Sequence, residues 1–267
     1  MTTNKQYILM AEGITDCSLL EAILEKYLGF VQYKNVNELP LLFQEMIGKY
    51  PAAAGELQRQ DSPTFFHKDA VCVAVKQAGG CSKIPEKISL FVELIDKLES
   101  YDTFGGFLVF CDTDLNTKDE FKSDFSKKLL ANEIPFKNDY IEFLENQIIC
   151  KLYLFPRVGV GAIEKLLLEC SNISYNRLYQ DAQEYRNKMM SEDYQELRKK
   201  CWAKKNAVQE FYSDKVQFGA ISTVLKPDKP VRFTIKDKLI KSEYFDSYMK
   251  LPEFKELHNF LQHNLVL

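Results

Sequence analysis

The sequence predicts an α/β protein with a mainly parallel sheet, helices on both faces, and a mostly helical C-terminal extension. Three observations predict it. Short apolar runs alternate with segments of helical spacing through the first 170 residues, the pattern of βα units. Two of these runs, Tyr7-Ile-Leu-Met-Ala-Glu12 and Leu108-Val-Phe-Cys-Asp112, finish in carboxylates, and the residues beyond the carboxyl ends of such strands are where an open α/β sheet holds ligands. Beyond Ser171 the texture changes to Tyr, Gln, Lys, Arg and Glu with apolar residues at helical intervals.

The elements follow in order. Residues 6–11 read as a strand leading into a helix near 16–28, Phe30–Tyr33 as a short strand, and Leu39–Tyr50 as helical. Pro51 and the small residues after it predict a loop as far as Ser62-Pro63. Ala70–Val75 is a strand. Lys83–Ser100 places Ile88, Phe91, Val92, Ile95 and Leu98 on one side of a helix packed on a sheet. Gly105-Gly106 opens the strand to Cys111, a helix covers about 118–131, a strand 151–155, and a helix contains Glu164 to Leu168. Tyr175–Tyr212 predicts one or two long helices. Val216–Phe233, with Gly219, Pro227 and Pro230, predicts a loop with a short strand, and Phe245–Leu261 a helical segment with Pro252 in a first turn.

The acids at the two strand ends carry the chemistry. Gly13 permits a tight turn after Glu12, and Thr15 or Asp16 is placed to cap the following helix. Asp112 and Asp114 are two apart, so a strand continuing through them sends both side chains to one face and Thr113 to the other. The plainer alternative makes them loop acids and N-caps. Four carboxylates at two strand ends repel unless a cation is present, and oxygen ligands without His or Cys nearby suit Mg²⁺ or Mn²⁺ rather than zinc.

At these residues the chain resembles the TOPRIM fold, shared by topoisomerases, bacterial primases and the OLD family of nucleases. The match is the EG turn at Glu12-Gly13 and the DxD at Asp112 and Asp114, and the Glu12, Asp16 pair is most similar to the ExxxD form of OLD-type nucleases. Lys151–Pro156 followed by Gly161-Ala-Ile-Glu164-Lys-Leu-Leu resembles the strand, Pro, Gly and LExLL run of small TOPRIM-related proteins, which implies Glu164 as a second-metal ligand. Taken alone, Glu164 reads equally as a helix-surface acid or a partner of Lys165 or Arg157. The resemblance covers roughly residues 5–170, implying a TOPRIM-like metal-binding domain over 1–170 and a mostly helical, partly basic region over 171–267. After Asp114 the chain continues Leu115-Asn116-Thr117-Lys118, a departure from topoisomerases and primases that sets their activities aside.

What the resemblance implies is a Mg²⁺- or Mn²⁺-dependent nuclease cutting phosphodiester bonds in DNA or RNA. One ion is expected on Glu12, Asp112 and Asp114 and a second near Glu12, Asp16 and Glu164, as in two-metal in-line displacement, or Glu12 itself acts as general acid or base. Lys205, in Trp202-Ala-Lys204-Lys205-Asn206, lies where related proteins carry a functional lysine. OLD proteins also carry an ATPase; no GxxxxGK[ST] run occurs here, so any ATPase is expected to be a separate subunit, in a bacterial or phage-defence setting. The alternative is a TOPRIM-like regulatory protein that holds a nucleotide or nucleic acid without cleaving it.

Composition bounds these readings. Hydrophobic residues make up 46% and charged residues 27% of 267, ordinary for a globular protein. No apolar run approaches the ~20 residues of a membrane span and Met-Thr-Thr-Asn-Lys lacks a signal-peptide core, so the cytoplasm is the expected location. Seven scattered cysteines without a CxxC pair exclude a zinc ribbon and a disulfide framework, and read as buried free thiols. The net charge of −3 conceals a basic stretch: residues 186–250 hold 15 Lys and Arg against 9 Asp and Glu. A phosphate chain favours such a region, so Lys204, Lys205, Lys226 and Arg232, with Lys229, are the candidate nucleic-acid contacts. The three histidines, His67 among them, read as structural or surface residues.

Overall fold

The computed structural model describes residues 4–47, 52–53, 56–57, 62–201 and 209–265. The chain enters on β1 (Lys5–Ala11), crosses through α1 (Ile14–Lys26) to β2 (Val31–Gln32) and passes α2 (Leu41–Glu45). A small separate hairpin, β3 (Ala52–Ala53) and β4 (Glu56–Leu57), precedes β5 (Thr64–Lys68) and β6 (Val71–Gln77). Next come α3 (Ile84–Lys97), β7 (Phe104–Asp112), α4 (Lys118–Ala131), β8 (Phe136–Lys137), β9 (Tyr140–Phe143) and β10 (Asn146–Phe155). Apart from the hairpin, the strands form one eight-stranded sheet in the order β2-β5-β6-β1-β7-β10-β9-β8. β6, β1, β7 and β10 run parallel at its centre, and antiparallel strands flank them on both sides. The protein is therefore α/β with a mixed sheet around a parallel core.

The central strands are apolar on both faces because helices cover both. On β1, Tyr7, Leu9 and Ala11 join α1 and the C-terminal helices, while Ile8 and Met10 join the layer of α3 and α4. Two glycines make the start of β7 possible. A Cβ on Gly105 would lie 2.4 Å from the Tyr7 ring, and one on Gly106, whose φ is +136, would lie 2.8 Å from Ile149 of β10. The β1–β7 register shifts at this point, between Gln6 and Tyr7.

The remaining helices are α5 (Glu164–Ser174), α6 (Asn176–Met190), α7 (Gln195–Cys201), α8 (Gln209–Leu225), α9 (Val231–Thr234), α10 (Phe245–Tyr248) and α11 (Pro252–Asn264). Phe218, Ile221, Leu239, Tyr248, Phe254 and Leu261 share one apolar cluster with Leu9, Phe110 and Phe155 of the sheet. The C-terminal region thus forms a layer on the α1 face, and the expected division at residue 170 falls within α5. Among the described residues no helix is long and apolar enough to cross a membrane.

Several expectations are corrected. β5, the β8–β9 hairpin and the first half of β10 are strands where the sequence suggested loop or nothing; their antiparallel pairing at the sheet edge supplies the order that their weak alternation does not. The helix expected over 39–50 is only α2 in the described residues. Val216–Phe233 is not a loop with a strand: α8 continues through Gly219 to Leu225, because burial of Phe218 and Ile221 outweighs the ~1 kcal/mol that a helical glycine costs. Pro227 and Pro230 instead separate α8 from α9. Pro252 does open α11, as expected.

Candidate metal centre

The carboxyl ends of β6, β1, β7 and β10 lie side by side, and the turns leaving them place the acids. β1 is extended by one residue, the Glu12 N–H donating to the Phe110 carbonyl at 3.2 Å. The Glu12 carbonyl accepts from Gly79 and Gly80 at 3.1 and 3.0 Å, in a turn that these two glycines make at φ of +80 and +121. The neighbouring strands therefore hold the Glu12 backbone from both sides. α1 begins at Ile14, earlier than expected, and Asp16 is not its N-cap: its Oδ2 accepts from the Gly13 N–H at 3.0 Å, the reciprocal half of a capping box.

β7 ends at Asp112, so strand alternation does not carry through the DxD. Asp112 is buried and its Oδ1 accepts from the Ile163 N–H at 2.9 Å, which ties it to the start of α5. Thr113 is also buried, its Oγ1 accepting from the Gly161 N–H at 3.1 Å. Asp114 turns into the left-handed region at φ +52 and is exposed, with its N–H on the Gly161 carbonyl at 2.8 Å. The hydrogen bonds to Gly161 and Ile163 position Glu164 at the start of α5, where it is buried beside the same acids.

These five carboxylates form one electrostatic unit. Burial pushes Asp16 up to about 7, reinforced by Glu12 and Glu164, although the amides at its own position and at Gly13 oppose the rise. Burial also raises Asp112 well above the carboxylate range, with Asp16, Glu164 and Glu12 adding to it. Glu12 is raised by burial and then by Asp114, against the Asp112 and Cys81 amides. Glu12 Oε2, Asp16 Oδ1 and Glu164 Oε2 are buried without a hydrogen-bond partner. Buried acceptors are ordinarily satisfied, so three orphans in one acid cluster point to a missing positive partner.

The unexpected member is Lys215, on α8. Its Nζ is 3.0 Å from Glu164 Oε1. Burial opposes its charge, but Glu164, Asp112 and Asp114 outweigh it and hold the ammonium above its ordinary range. Its predicted counterparts, Lys204 and Lys205, lie outside the described residues. Lys215 is 51 positions from Glu164 and falls between the helices expected as far as Tyr212 and the loop expected from Val216, so no sequence signal singles it out. The expected partners of Glu164, Lys165 and Arg157, go elsewhere: Lys165 donates to the Val160 carbonyl and Arg157 pairs with Glu256.

The other basic candidates do not converge on the acids. Lys226 pairs with Asp237, Lys229 with Asp228, and Lys236 with Glu21 and Glu25. Arg232 is exposed, lies 4.7 Å over the Phe233 ring, and lines a polar cavity of about 310 Å³ with Ile14, Ser18, Thr64 and Gln77. A second cavity, of about 530 Å³, opens in front of Asp112 and Asp114 and is walled by Cys81, Asn116, Glu120, Asp124 and Lys128.

The donor set fits a hard divalent cation: every atom is a carboxylate oxygen, three are unpartnered, and the Lys215 ammonium meets the other Glu164 oxygen, Oε1. Among the described residues no three His, Cys, Asp or Glu side chains already surround a common point at ligand spacing.

No protein family matches this chain, and no curated protein does. Among solved structures it is similar to the crystal structure of hypothetical protein PH0156 from Pyrococcus horikoshii OT3, at 17% identity and a TM-score of 0.49, over 96% of this chain and 99% of that one.

Proposed function

We propose that the protein is a TOPRIM-like, Mg²⁺- or Mn²⁺-dependent nuclease that hydrolyses phosphodiester bonds in DNA or RNA. One observation carries the reading: acids from the turns after β1 and β7 and from the start of α5 gather at the carboxyl ends of the parallel strands, with three buried oxygens unpartnered and a charged lysine beside them. Asp112, Asp114 and Glu12 would hold one ion, and Glu12, Asp16 and Glu164 a second. When bound, the metal supplies Lewis-acid stabilisation and lowers the pKa of attacking water.

The chain's own groups supply the rest. Glu12, half-buried and raised above the usual carboxylate range, is suited to give or take a proton at the scissile phosphate. Lys215 presents an ammonium for the charge that develops on the non-bridging oxygens. The hydrogen bonds from Gly79, Gly80 and Ile163 fix Glu12 and Asp112 and limit reorganisation during reaction.

The test is Mn²⁺-dependent cutting of mixed DNA and RNA by the purified protein, abolished by chelation and by Glu12→Ala. One observation favours the non-catalytic alternative: the cavity before the DxD is acidic on its outer wall as well, with Lys128 paired to Asp124, an unwelcoming surface for a long polyanion. Mn²⁺ binding without cutting of either nucleic acid would select that reading.

A further inference from the structure

We propose that Cys81 and Cys111 are an oxidation site that closes the candidate metal centre under peroxide. Their sulfurs lie 3.5 Å apart. Cys81 is partly exposed on the wall of the cavity before the DxD, and Cys111 is fully buried at the end of β7. The two are thirty residues apart in sequence and on different strand ends, so their approach is a product of the parallel sheet. A disulfide bond of about 2.0 Å requires roughly 1.5 Å of closure between the sulfurs, within reach of the Gly79-Gly80 turn that carries Cys81.

The pair brackets Glu12. Backbone N–H groups of Cys81 and of Asp112, the residue after Cys111, both favour the charged Glu12 carboxylate, and the Glu12 carbonyl is held by Gly79 and Gly80. Joining the sulfurs pulls these two supports together and moves Glu12 with them. The chemistry balances with hydrogen peroxide as the two-electron oxidant. The accessible Cys81 thiol attacks one peroxide oxygen and becomes a sulfenic acid, the other oxygen leaving as water. The Cys111 thiol then attacks the Cys81 sulfur, its proton going to the departing hydroxide as a second water, and the S–S bond forms. A thiol reductant reverses the bond.

The cross-link stands on geometry alone; its closing of a metal site rests on the reading proposed above. The experiment uses the full chain carrying Cys201→Ser, which removes the one exposed thiol from intermolecular coupling. After peroxide, a non-reducing protease map is expected to show a single linkage joining the Cys81 and Cys111 peptides, and Cys111→Ala is expected to leave Cys81 as a dimedone-trapped sulfenic acid. The Mn²⁺-induced rise in melting temperature should disappear on oxidation and return with dithiothreitol. Intact Cys81 and Cys111 thiols in peroxide-treated folded protein, or a different pairing, overturn the proposal. A cross-linked protein with an unchanged Mn²⁺ response overturns the switch. If neither redox state responds to Mn²⁺, the metal reading fails, while the peptide map still decides the cross-link.

Discussion

Asp16 shows how burial turns one side chain into a pH-sensitive element. Unfolded, its carboxyl titrates near 4; folded, near 7. The folded state therefore binds this proton more tightly, so the stability it contributes is complete below about pH 4 and is lost as pH rises through about 7. Asp112 and Glu12 are shifted in the same direction. In chelator, the melting temperature should fall between about pH 4 and 7, and Asp16→Asn should flatten that fall. An equal decline in the variant would locate the titrating groups elsewhere. At neutral pH, Mn²⁺ at a hundredfold over its Kd should stabilise the fold by about 2.7 kcal/mol, and Asp112→Asn should shrink the gain while slightly raising the stability of the metal-free chain. Identical metal-induced shifts in wild type and variant would mean that ions bind away from the DxD.

At the scale of elements, α8 reaches the acids by packing against α5 and α6, which brings Lys215 to Glu164. If Lys215 stabilises transition-state charge, Lys215→Met should lower turnover by about a hundredfold or more with little change in substrate affinity. It should also cost on the order of 1–3 kcal/mol by leaving Glu164 unpaired in a buried setting. Turnover within a few-fold of wild type would leave the lysine a structural partner of Glu164. β7 offers an independent element-scale check. Gly106→Ala adds a methyl where Ile149 already sits and where φ is +136, so it should destabilise by more than ~2 kcal/mol in chemical denaturation. A smaller loss would mean that β7 and β10 separate easily at that end.

Over the whole molecule, the sheet and the C-terminal helices share an apolar cluster that includes Leu9, Phe110, Phe218 and Leu257, so they should unfold together. Calorimetry is expected to give one transition with matching calorimetric and van't Hoff enthalpies, and two separable transitions would restore a domain boundary near residue 170. The charge distribution acts at the same scale. Of the candidate backbone contacts, Lys226 and Lys229 are engaged in ion pairs within the chain, so Arg232 is the one to vary first. Arg232→Ala should make the log–log salt dependence of nucleic-acid binding shallower by about 0.7 to 0.9. An unchanged slope would leave Lys204 and Lys205 as the contacts to vary next.

The sequence by itself determined the α/β class and the central strands β1, β6 and β7, and it singled out Glu12, Asp16, Asp112 and Asp114 as candidate acids, whereas Glu164 was only implied by the TOPRIM resemblance. Those features are written locally: a strand covered on both faces is a short apolar run, and its carboxyl end is marked by the acids that follow. Only the tertiary structure decided which cation stands among them. Lys215 lies just before a segment whose Gly219 and nearby prolines read as loop, and burial of Phe218 and Ile221 keeps α8 helical there and holds the lysine against the sheet. The flanking strands were likewise settled by hairpin pairing onto the central strands, β5 on β6 and β8–β9 on β10, which their own weak alternation does not signal. Periodicity records what a residue's neighbours in sequence must bury, whereas the meeting of Lys215 with Glu164, or of Cys81 with Cys111, is set by how separate elements pack.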